Sequence, residues 1–270
     1  MRALNEPVGW WGWKPDTSAL SLTQLIQAGN FSPEVAALLW LTMERGGSIA
    51  VVAHPGGAGK TATLTALLSL TPPDSLAYFT RGEGEPFDLP PLDGNAPIYI
   101  LVNEMSDHMP VYTWDDAARR VFELMSQGYS MGTTMHAAGP EEVFSMLRGE
   151  LGIPLVQLAK LTLVVSLFAA RRGDDVIRRI DEISFTDPEV AEGLSGRRLV
   201  ERNAETDEFT VLESEEDAGA FADWAGLSPA ELRNDLSARS DYLRQIVAAG
   251  TLDFAAVNEA IAAYYERTRG

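Results

Sequence analysis

Short apolar runs alternate with stretches of helical periodicity along the middle of the chain. Residues 48–53 form a compact β-branched run, a glycine-rich turn follows, and the apolar spacing of residues 61–70 is that of a helix. Buried strands of this kind are covered by helices on both faces of a sheet, so the pattern predicts an α/β fold. Further strands are predicted at residues 76–80, Ile98–Val102, 129–135 and 161–168, and further helices at residues 115–126 and 140–148.

The amino-terminal segment, residues 1–46, predicts a short helical lead-in. Residues 10–13 are rich in tryptophan, with glycine and proline around them, and a helical pattern follows at residues 23–28. A second helix is expected to open with Ser32 as its N-cap and Pro33 as its first residue, because serine side chains accept from helix-start amides and proline needs no amide there. These helices are expected to lead directly into the first strand.

The carboxyl-terminal segment follows a different pattern. Residues 200–212 predict two edge strands joined by a turn at 203–206, and the acidic residues 213–217 are expected to be a solvated connector. Helical patterns fill residues 228–247 and 253–267. The predicted domains are a helical lead-in (1–46), a core (47–185) and a subdomain of strands and helices (186–270).

Composition narrows the class of protein. The chain has 270 residues, 46% of them hydrophobic and 22% charged, which is typical of a soluble globular protein. Its 21 basic and 39 acidic residues give a net charge of −18, which disfavours general binding to nucleic acid. No cysteine is present, so disulfides, thiolate metal sites and a cysteine nucleophile are excluded.

Targeting signals are weak in this sequence. The first 14 residues lack the basic and then apolar pattern of a signal peptide. The longest apolar run, residues 161–170, is about half the roughly 20 residues that a membrane-spanning helix needs. We therefore expect a cytoplasmic protein.

Residues 54–61 read His54-Pro-Gly-Gly-Ala-Gly-Lys-Thr61 and match the phosphate-binding pattern G-x-x-x-x-G-K-[ST] except at the first position. In this glycine loop the glycines let the backbone curl, so that successive amides point at a phosphate near the start of the next helix. The alternative is a glycine-rich turn with a chance Gly-Lys-Thr. The predicted nucleotide-binding residues are Gly56, Gly57, Ala58, Gly59, Lys60, Thr61 and Ala62.

Lys60 and Thr61 carry the chemistry of the glycine loop. The ammonium would reach the β- and γ-phosphate oxygens of ATP, and the hydroxyl would bind Mg²⁺. Lysine is rare here, with only Lys14, Lys60 and Lys160 among the 21 basic residues, which makes a chance match less plausible. ATP and Mg²⁺ are therefore the predicted cofactors.

Two further residues follow predicted strands. Glu104 comes just after Ile98–Val102, where a rigidly held carboxylate could contact Mg²⁺ and activate the attacking water. His136 follows residues 129–135, where it could sense the γ-phosphate at the carboxyl edge of the sheet. The alternatives are a plain surface acid for Glu104 and a hydrogen-bonded structural residue for His136.

Several ordered motifs together resemble the type II/IV secretion ATPases, the motors of secretion systems, type IV pili and archaeal surface filaments. They are the glycine loop, Ile98–Val102 with Glu104, and a histidine box that reads Thr133-Thr-Met-His-Ala137 and then Pro140-Glu-Glu142. Gly152-Ile-Pro154 and Arg178-Arg-Ile-Asp-Glu-Ile183 are similar to the family's continuation. The resemblance covers roughly residues 20–268.

The resemblance implies a RecA-like P-loop NTPase core with a helical C-terminal appendage. It implies phosphate binding at Gly57, Gly59, Lys60 and Thr61, water activation at Glu104 and γ-phosphate sensing at His136. It also implies an oligomeric ring, hexameric in the family, on a membrane platform protein at the inner face of the cell membrane. No nucleic-acid partner is expected.

The chain departs from the family pattern in three places. Residues 1–46 resemble only the last helices of the family's large amino-terminal domain, so a short form is expected. An acidic box is represented by Arg81-Gly-Glu-Gly-Glu85, and the residues around Glu104 also differ. The second hypothesis is therefore a degenerate relative that binds nucleotide and acts as a regulatory or structural partner of a complete motor, and the third is phosphotransfer to a small molecule. Arginines considered for phosphate contacts between subunits are Arg81, Arg119, Arg120, Arg148, Arg171 and Arg172.

Overall fold

The computed structural model describes residues 1–7, 19–54, 56–94, 96–173, 175–187 and 196–269. Within these ranges the chain forms one sheet of nine strands with α-helices on both faces, so the predicted α/β class is confirmed. The strands are β1 (Arg2–Ala3), β2 (Ile49–Val52), β3 (Leu76–Phe79), β4 (Ile98–Val102), β5 (Ser130–Met135), β6 (Leu163–Arg172), β7 (Asp175–Phe185), β8 (Arg197–Arg202) and β9 (Phe209–Val211). The α-helices are α1 (Leu22–Gln27), α2 (Pro33–Glu44), α3 (Lys60–Leu68), α4 (Asp115–Ser126), α5 (Pro140–Ser145), α6 (Leu155–Leu158), α7 (Glu215–Ala225), α8 (Pro229–Ala248) and α9 (Phe254–Arg269).

The strand order determines which loops meet. The order is β1-β3-β4-β5-β2-β6-β7-β8-β9, parallel from β1 to β6 and antiparallel from β6 to β9. Strand β5 therefore separates β2, which precedes the glycine loop, from β4, which precedes Glu104. This is the strand order of RecA-like P-loop NTPases, and it brings the carboxyl ends of β2, β5 and β4 side by side.

The two faces of β2 are buried against different sets of helices. Ile49 and Val51 belong to a core cluster with residues of α1, α2, α3 and the C-terminal helices. Ala50 and Val52 belong to a second cluster with residues of α4 and α5. All four side chains are 0% exposed, as expected for a strand covered on both sides.

The lead-in and the C-terminal helices pack on each other. Ser32 caps α2 as predicted, and its side chain accepts from the Val35 amide. Trp40 of α2 is fully buried, and its indole donates to the Tyr265 hydroxyl at 2.9 Å. That hydroxyl donates to the Leu70 carbonyl just after α3. One core thus includes residues from all three predicted domains, while the division at 46 and 185 stays a prediction.

Helix α1 is attached to the turn between α8 and α9. The Ser21 hydroxyl donates to the Leu252 carbonyl at 2.7 Å, and the Thr23 hydroxyl donates to the Thr251 carbonyl at 2.6 Å. Ser21 and Thr23 are both 0% exposed, so these bonds are sheltered from competing water. The position of α1 therefore depends on the C-terminal helices.

Several elements differ from the sequence prediction. Strand β1 and strand β7 were not predicted, and residues 213–217 are not a connector, because α7 begins at Glu215. Ser214 caps this helix by accepting from the Asp217 amide. The acidic residues of its first turn stabilise it by interacting with the positive end of the helix dipole. The predicted helix at 140–148 also ends earlier, at Ser145, and a π-helical turn follows at Met146–Glu150.

Two remaining expectations concern the tryptophan-rich segment and membrane-spanning helices. The tryptophan-rich residues 10–13 lie outside the described residues. Within the described ranges, no helix combines the length and the apolar character needed to cross a bilayer.

Candidate functional site

The glycine loop joins β2 to α3 at the carboxyl edge of the sheet. Gly57 and Gly59 have φ angles of +76° and +94°, a left-handed conformation that side chains with a Cβ rarely adopt. The predicted backbone curl is confirmed at these two glycines. Gly56 has no positive φ, and a Cβ placed there would meet no atom within 4 Å. Pro55 lies outside the described residues.

The first turn of α3 leaves backbone donors available. The first hydrogen bond within this turn runs from the Thr63 amide to the Gly59 carbonyl at 2.8 Å. The amides of Lys60, Thr61 and Ala62 donate to no carbonyl in the described part of the chain. Amides at the positive end of a helix bind anions, so this turn is suited to a phosphate group.

Lys60 lies next to His136, which in turn lies next to Glu104. Its side chain is largely buried, and its Nζ lies 3.4 Å from Nδ1 and 3.3 Å from Nε2 of His136. Burial lowers the pKa of the Lys60 ammonium, and the negative charge of Glu104 opposes that shift. The ammonium thus lies within the field of the carboxylate and can donate to whichever ring nitrogen is unprotonated.

Glu104 is held in place from several sides. Its side chain is 12% exposed, and Oε1 accepts from the Ser106 hydroxyl at 3.1 Å while Oε2 lies 3.6 Å from Nε2 of His136. The Thr134 hydroxyl of β5 donates to the Asn103 carbonyl at 2.8 Å and so fixes the backbone just before Glu104. Glu104 is mostly buried and lines the same cavity as the glycine loop, which favours a chemical role over that of a plain surface acid.

A cavity of about 490 Å³ lies over these groups. Its lining includes the glycine loop, Glu104 and His136, and also Leu20, Leu25 and Asn30 from the lead-in. This volume is in the range of small-molecule sites. The lining groups fit Mg·ATP. The amides and Lys60 suit phosphates, and the Thr61 hydroxyl and the Glu104 carboxylate suit Mg²⁺, which usually binds one or two protein oxygens beside phosphates and water.

Two residues of the site were missed by the sequence analysis. Arg178 of β7 lines the cavity, and its Nε donates to the Gly57 carbonyl at 2.8 Å. His108 places Nδ1 4.0 Å from Oε1 of Glu104, and its ring centroid lies 6.2 Å from that of His136. Of the six arginines considered for phosphate contacts, the five with described side chains do not line the cavity. The RRIDEI motif was the signal that could have led to Arg178.

His54, which replaces the first glycine of the pattern, joins the glycine loop to α5. Its Nε2 lies 2.9 Å from Oε2 of Glu142, and its carbonyl lies 3.3 Å from Nδ1 of His136. The same Glu142 carboxylate accepts from the Ala138 amide at 2.7 Å. The imidazole therefore points toward Glu142 of α5.

The His54→Gly variant is expected to bind ATP as well as the unchanged chain or better. The side chain of His54 is 59% exposed and that of Glu142 is 39% exposed, and surface ion pairs contribute roughly 0–1 kcal/mol to stability. Calorimetric titration and thermal melting test this expectation. A several-fold loss of affinity would instead make the His54 side chain a ligand contact.

Comparison with known proteins gives distant relatives. No protein-family model matches the sequence. The uncharacterized protein MJ0900 of Methanocaldococcus jannaschii is 28% identical over an alignment 284 positions long, which covers 92% of this chain and 49% of the relative. The uncharacterized protein MJ1287 of the same organism is 27% identical over 254 residues, which cover 83% of this chain and 90% of the relative. The chain thus spans about half the length of MJ0900 and most of MJ1287.

Two solved structures are similar to the chain. The ATPase DotB of Legionella pneumophila aligns with 82% of this chain and 57% of its own, at 16% identity and a TM-score of 0.40. The ATPase DotB of Yersinia pseudotuberculosis aligns with 88% of this chain and 62% of its own, at 13% identity and a TM-score of 0.43. The P-loop NTPase fold itself is established by the strand order and the glycine loop, and membership in the secretion ATPases stays a prediction from the motifs.

Proposed function

We propose that this chain is a secretion-type ATPase that binds Mg·ATP and hydrolyses it. The observation that carries the proposal is the meeting of three elements at one cavity. The glycine loop brings Lys60 and Thr61, the residues after β4 bring Glu104, and the residues after β5 bring His136. A phosphate cradle, a carboxylate and a histidine in this arrangement suit transfer of a phosphoryl group to water.

Each residue has a distinct part in the proposed reaction. The amides at the start of α3 and Lys60 hold the phosphates, and Thr61 and Glu104 provide oxygens near the metal. Mg²⁺ supplies charge neutralisation on the phosphates when it is bound. Glu104 accepts a proton from the attacking water. The water oxygen bonds to the γ-phosphorus as the bond between that phosphorus and the ADP oxygen breaks. His136 contacts the γ-phosphate.

The motor role is the further part of this proposal. We infer that ATP turnover powers assembly or secretion of filament subunits through a type II or type IV pilus-like machine, with the chain working in the cytoplasm at the inner face of the membrane. The supporting observations are the histidine box after β5 and the placement of His136 at the cavity. A homo- or hetero-oligomeric ring, hexameric by family resemblance, and a membrane platform protein are the proposed partners.

A regulatory, nucleotide-binding partner of a complete motor is the second candidate. The carboxylate of Glu85, at the position of the family's acidic box, is engaged in local hydrogen bonds. It accepts from the Tyr78 hydroxyl of β3 and from the Arg81 amide. Burial and the Glu85 hydrogen bond raise the pKa of Tyr78 to about 12. A carboxylate engaged in this way is not presented to the cavity, which favours slow turnover.

Steady-state ATP hydrolysis separates the two candidates. We would measure phosphate release with Mg²⁺, with EDTA, and across a series of protein concentrations followed by light scattering. Turnover that needs Mg²⁺ and rises with oligomerisation supports the motor. A monomer that binds ATP without hydrolysing it, alone and beside a complete secretion ATPase, supports the regulatory role.

Replacing His136 with alanine is expected to lower ATP turnover and to spare ADP affinity, because a residue that contacts the γ-phosphate has no contact to lose with ADP. The variant also removes the ring that lies beside Lys60 and Glu104. ATPase assays and ADP titration measure the two effects separately. Normal specific activity with a melting temperature lowered by many degrees would give His136 a structural role.

A further inference from the structure

Arg178 lies directly against the glycine loop from a different part of the chain. Its Nε donates to the Gly57 carbonyl at 2.8 Å, and a Cβ built on Gly59 would come within 3.2 Å of Arg178 Cδ. The side chain also lines the cavity that holds Lys60 and Glu104. Arg178 therefore covers the two glycines whose left-handed conformations shape the loop.

Strand β7 is fastened at this point by the lead-in. The Ile180 amide donates to the Asn30 carbonyl at 2.7 Å, and the Arg179 guanidinium donates to the Ala28 carbonyl at 3.3 Å. Arg179 also forms an ion pair with Asp207 at 2.8 Å. Neighbouring residues on a strand point to opposite faces, so these anchors hold Arg179 on one side and direct Arg178 to the other, toward the loop.

The charge of Arg178 is not matched by an acid as those of its neighbours are. Arg179, Arg198 and Arg202 each lie within ion-pair distance of a carboxylate. Among the described residues, none supplies a carboxylate within 4.0 Å of the Arg178 guanidinium, although the chain has 39 acidic residues. Its guanidinium donates to the neutral Gly57 carbonyl, and a guanidinium is strongly attracted to phosphate oxygens.

We propose that Arg178 is a phosphate-binding residue of the nucleotide site, supplied by the same chain as the glycine loop. This inference rests on the proposed function. The portion of the loop that Arg178 covers is the part whose amides surround the α- and β-phosphates in this motif. Arg178 consequently contacts phosphates that ADP and ATP share, which distinguishes it from a γ-phosphate sensor such as His136.

Calorimetric titration of ADP and of a non-hydrolysable ATP analogue, both with Mg²⁺, tests the assignment. Arg178→Gln is expected to weaken both affinities by about ten-fold, the usual effect of losing one charged hydrogen bond. Arg178→Lys keeps the charge and is expected to recover most of the affinity. The matched control Arg198→Gln, on the neighbouring strand β8, is expected to bind both nucleotides normally.

The outcomes that overturn the assignment are distinct. Wild-type affinities for Arg178→Gln would exclude a phosphate contact, and equal losses for the Gln and Lys variants would make Arg178 an anchor of the loop backbone only. A loss confined to the ATP analogue would contradict contact with the shared phosphates. If the unchanged chain bound neither nucleotide, the proposed function would fail together with this inference, whereas the first three outcomes leave nucleotide binding intact.

Discussion

The Lys60→Ala variant is expected to lose ATP binding almost completely, with affinity lowered by about 100-fold or more. In the proposed site the Lys60 ammonium contacts the β- and γ-phosphates, and hydrogen bonds to charged groups are the strongest polar contacts in a site. The fold should survive, because Lys60 is mostly buried and a buried ammonium costs desolvation energy that alanine avoids. Titration with ATP and thermal melting measure the two quantities.

Lys160 provides the matched control for this experiment. It is an exposed lysine before β6, so Lys160→Ala removes the same charge without changing the cavity. This control should bind ATP with unchanged affinity. Unchanged affinity in Lys60→Ala would refute the assignment of the glycine loop as a phosphate site, and equal losses in both variants would indicate a general charge effect.

The Glu104→Gln variant is expected to retain ATP binding and to hydrolyse ATP about 10² to 10⁴ times more slowly, the usual contribution of a positioned acid–base group. Glutamine has almost the same shape, and its carbonyl oxygen can still accept from the Ser106 hydroxyl. What disappears is the negative charge near His136 and the capacity to accept a proton. Binding and turnover should therefore separate.

Asp107 supplies the control for the charge change at Glu104. Its side chain is 72% exposed, three residues further along the same loop, so Asp107→Asn removes a nearby negative charge that faces solvent. Phosphate-release assays on both variants should show a large loss only for Glu104→Gln. Equal loss of binding and turnover in Glu104→Gln, or normal turnover, would exclude Glu104 as the catalytic acid–base group.

Local signals predicted the parts of the site that lie next to strands. The strand before the glycine loop and the strand before Glu104 are short, fully apolar and bounded by turn residues, so sequence was sufficient to locate them. The positions of Gly57 and Gly59 were predictable for a similar reason, because a left-handed backbone restricts the residue type directly. His136 was located by its position after β5 together with the histidine box.

Other features depend on contacts between distant residues. Strand β7 is partly exposed and five of its eleven residues are charged, so its composition resembles that of a surface loop. Arg178 reaches Gly57 across 121 positions in sequence, and no local pattern encodes that contact. Helix α7 was missed for a different reason. Its first turn is acidic and exposed, like a charged linker, but the Ser214 cap stabilises the start of a helix there.

The attachment of α1 to the turn between α8 and α9 joins one wall of the cavity to the C-terminal helices. Leu25 of α1 lines the cavity over the glycine loop, and the hydroxyls of Ser21 and Thr23 hold α1 to the carbonyls of Leu252 and Thr251. Under the proposed function, a macromolecule that bound the C-terminal helices and shifted this turn would change the free energy of nucleotide binding. Reciprocity then requires that bound nucleotide change the affinity for that macromolecule by the same factor.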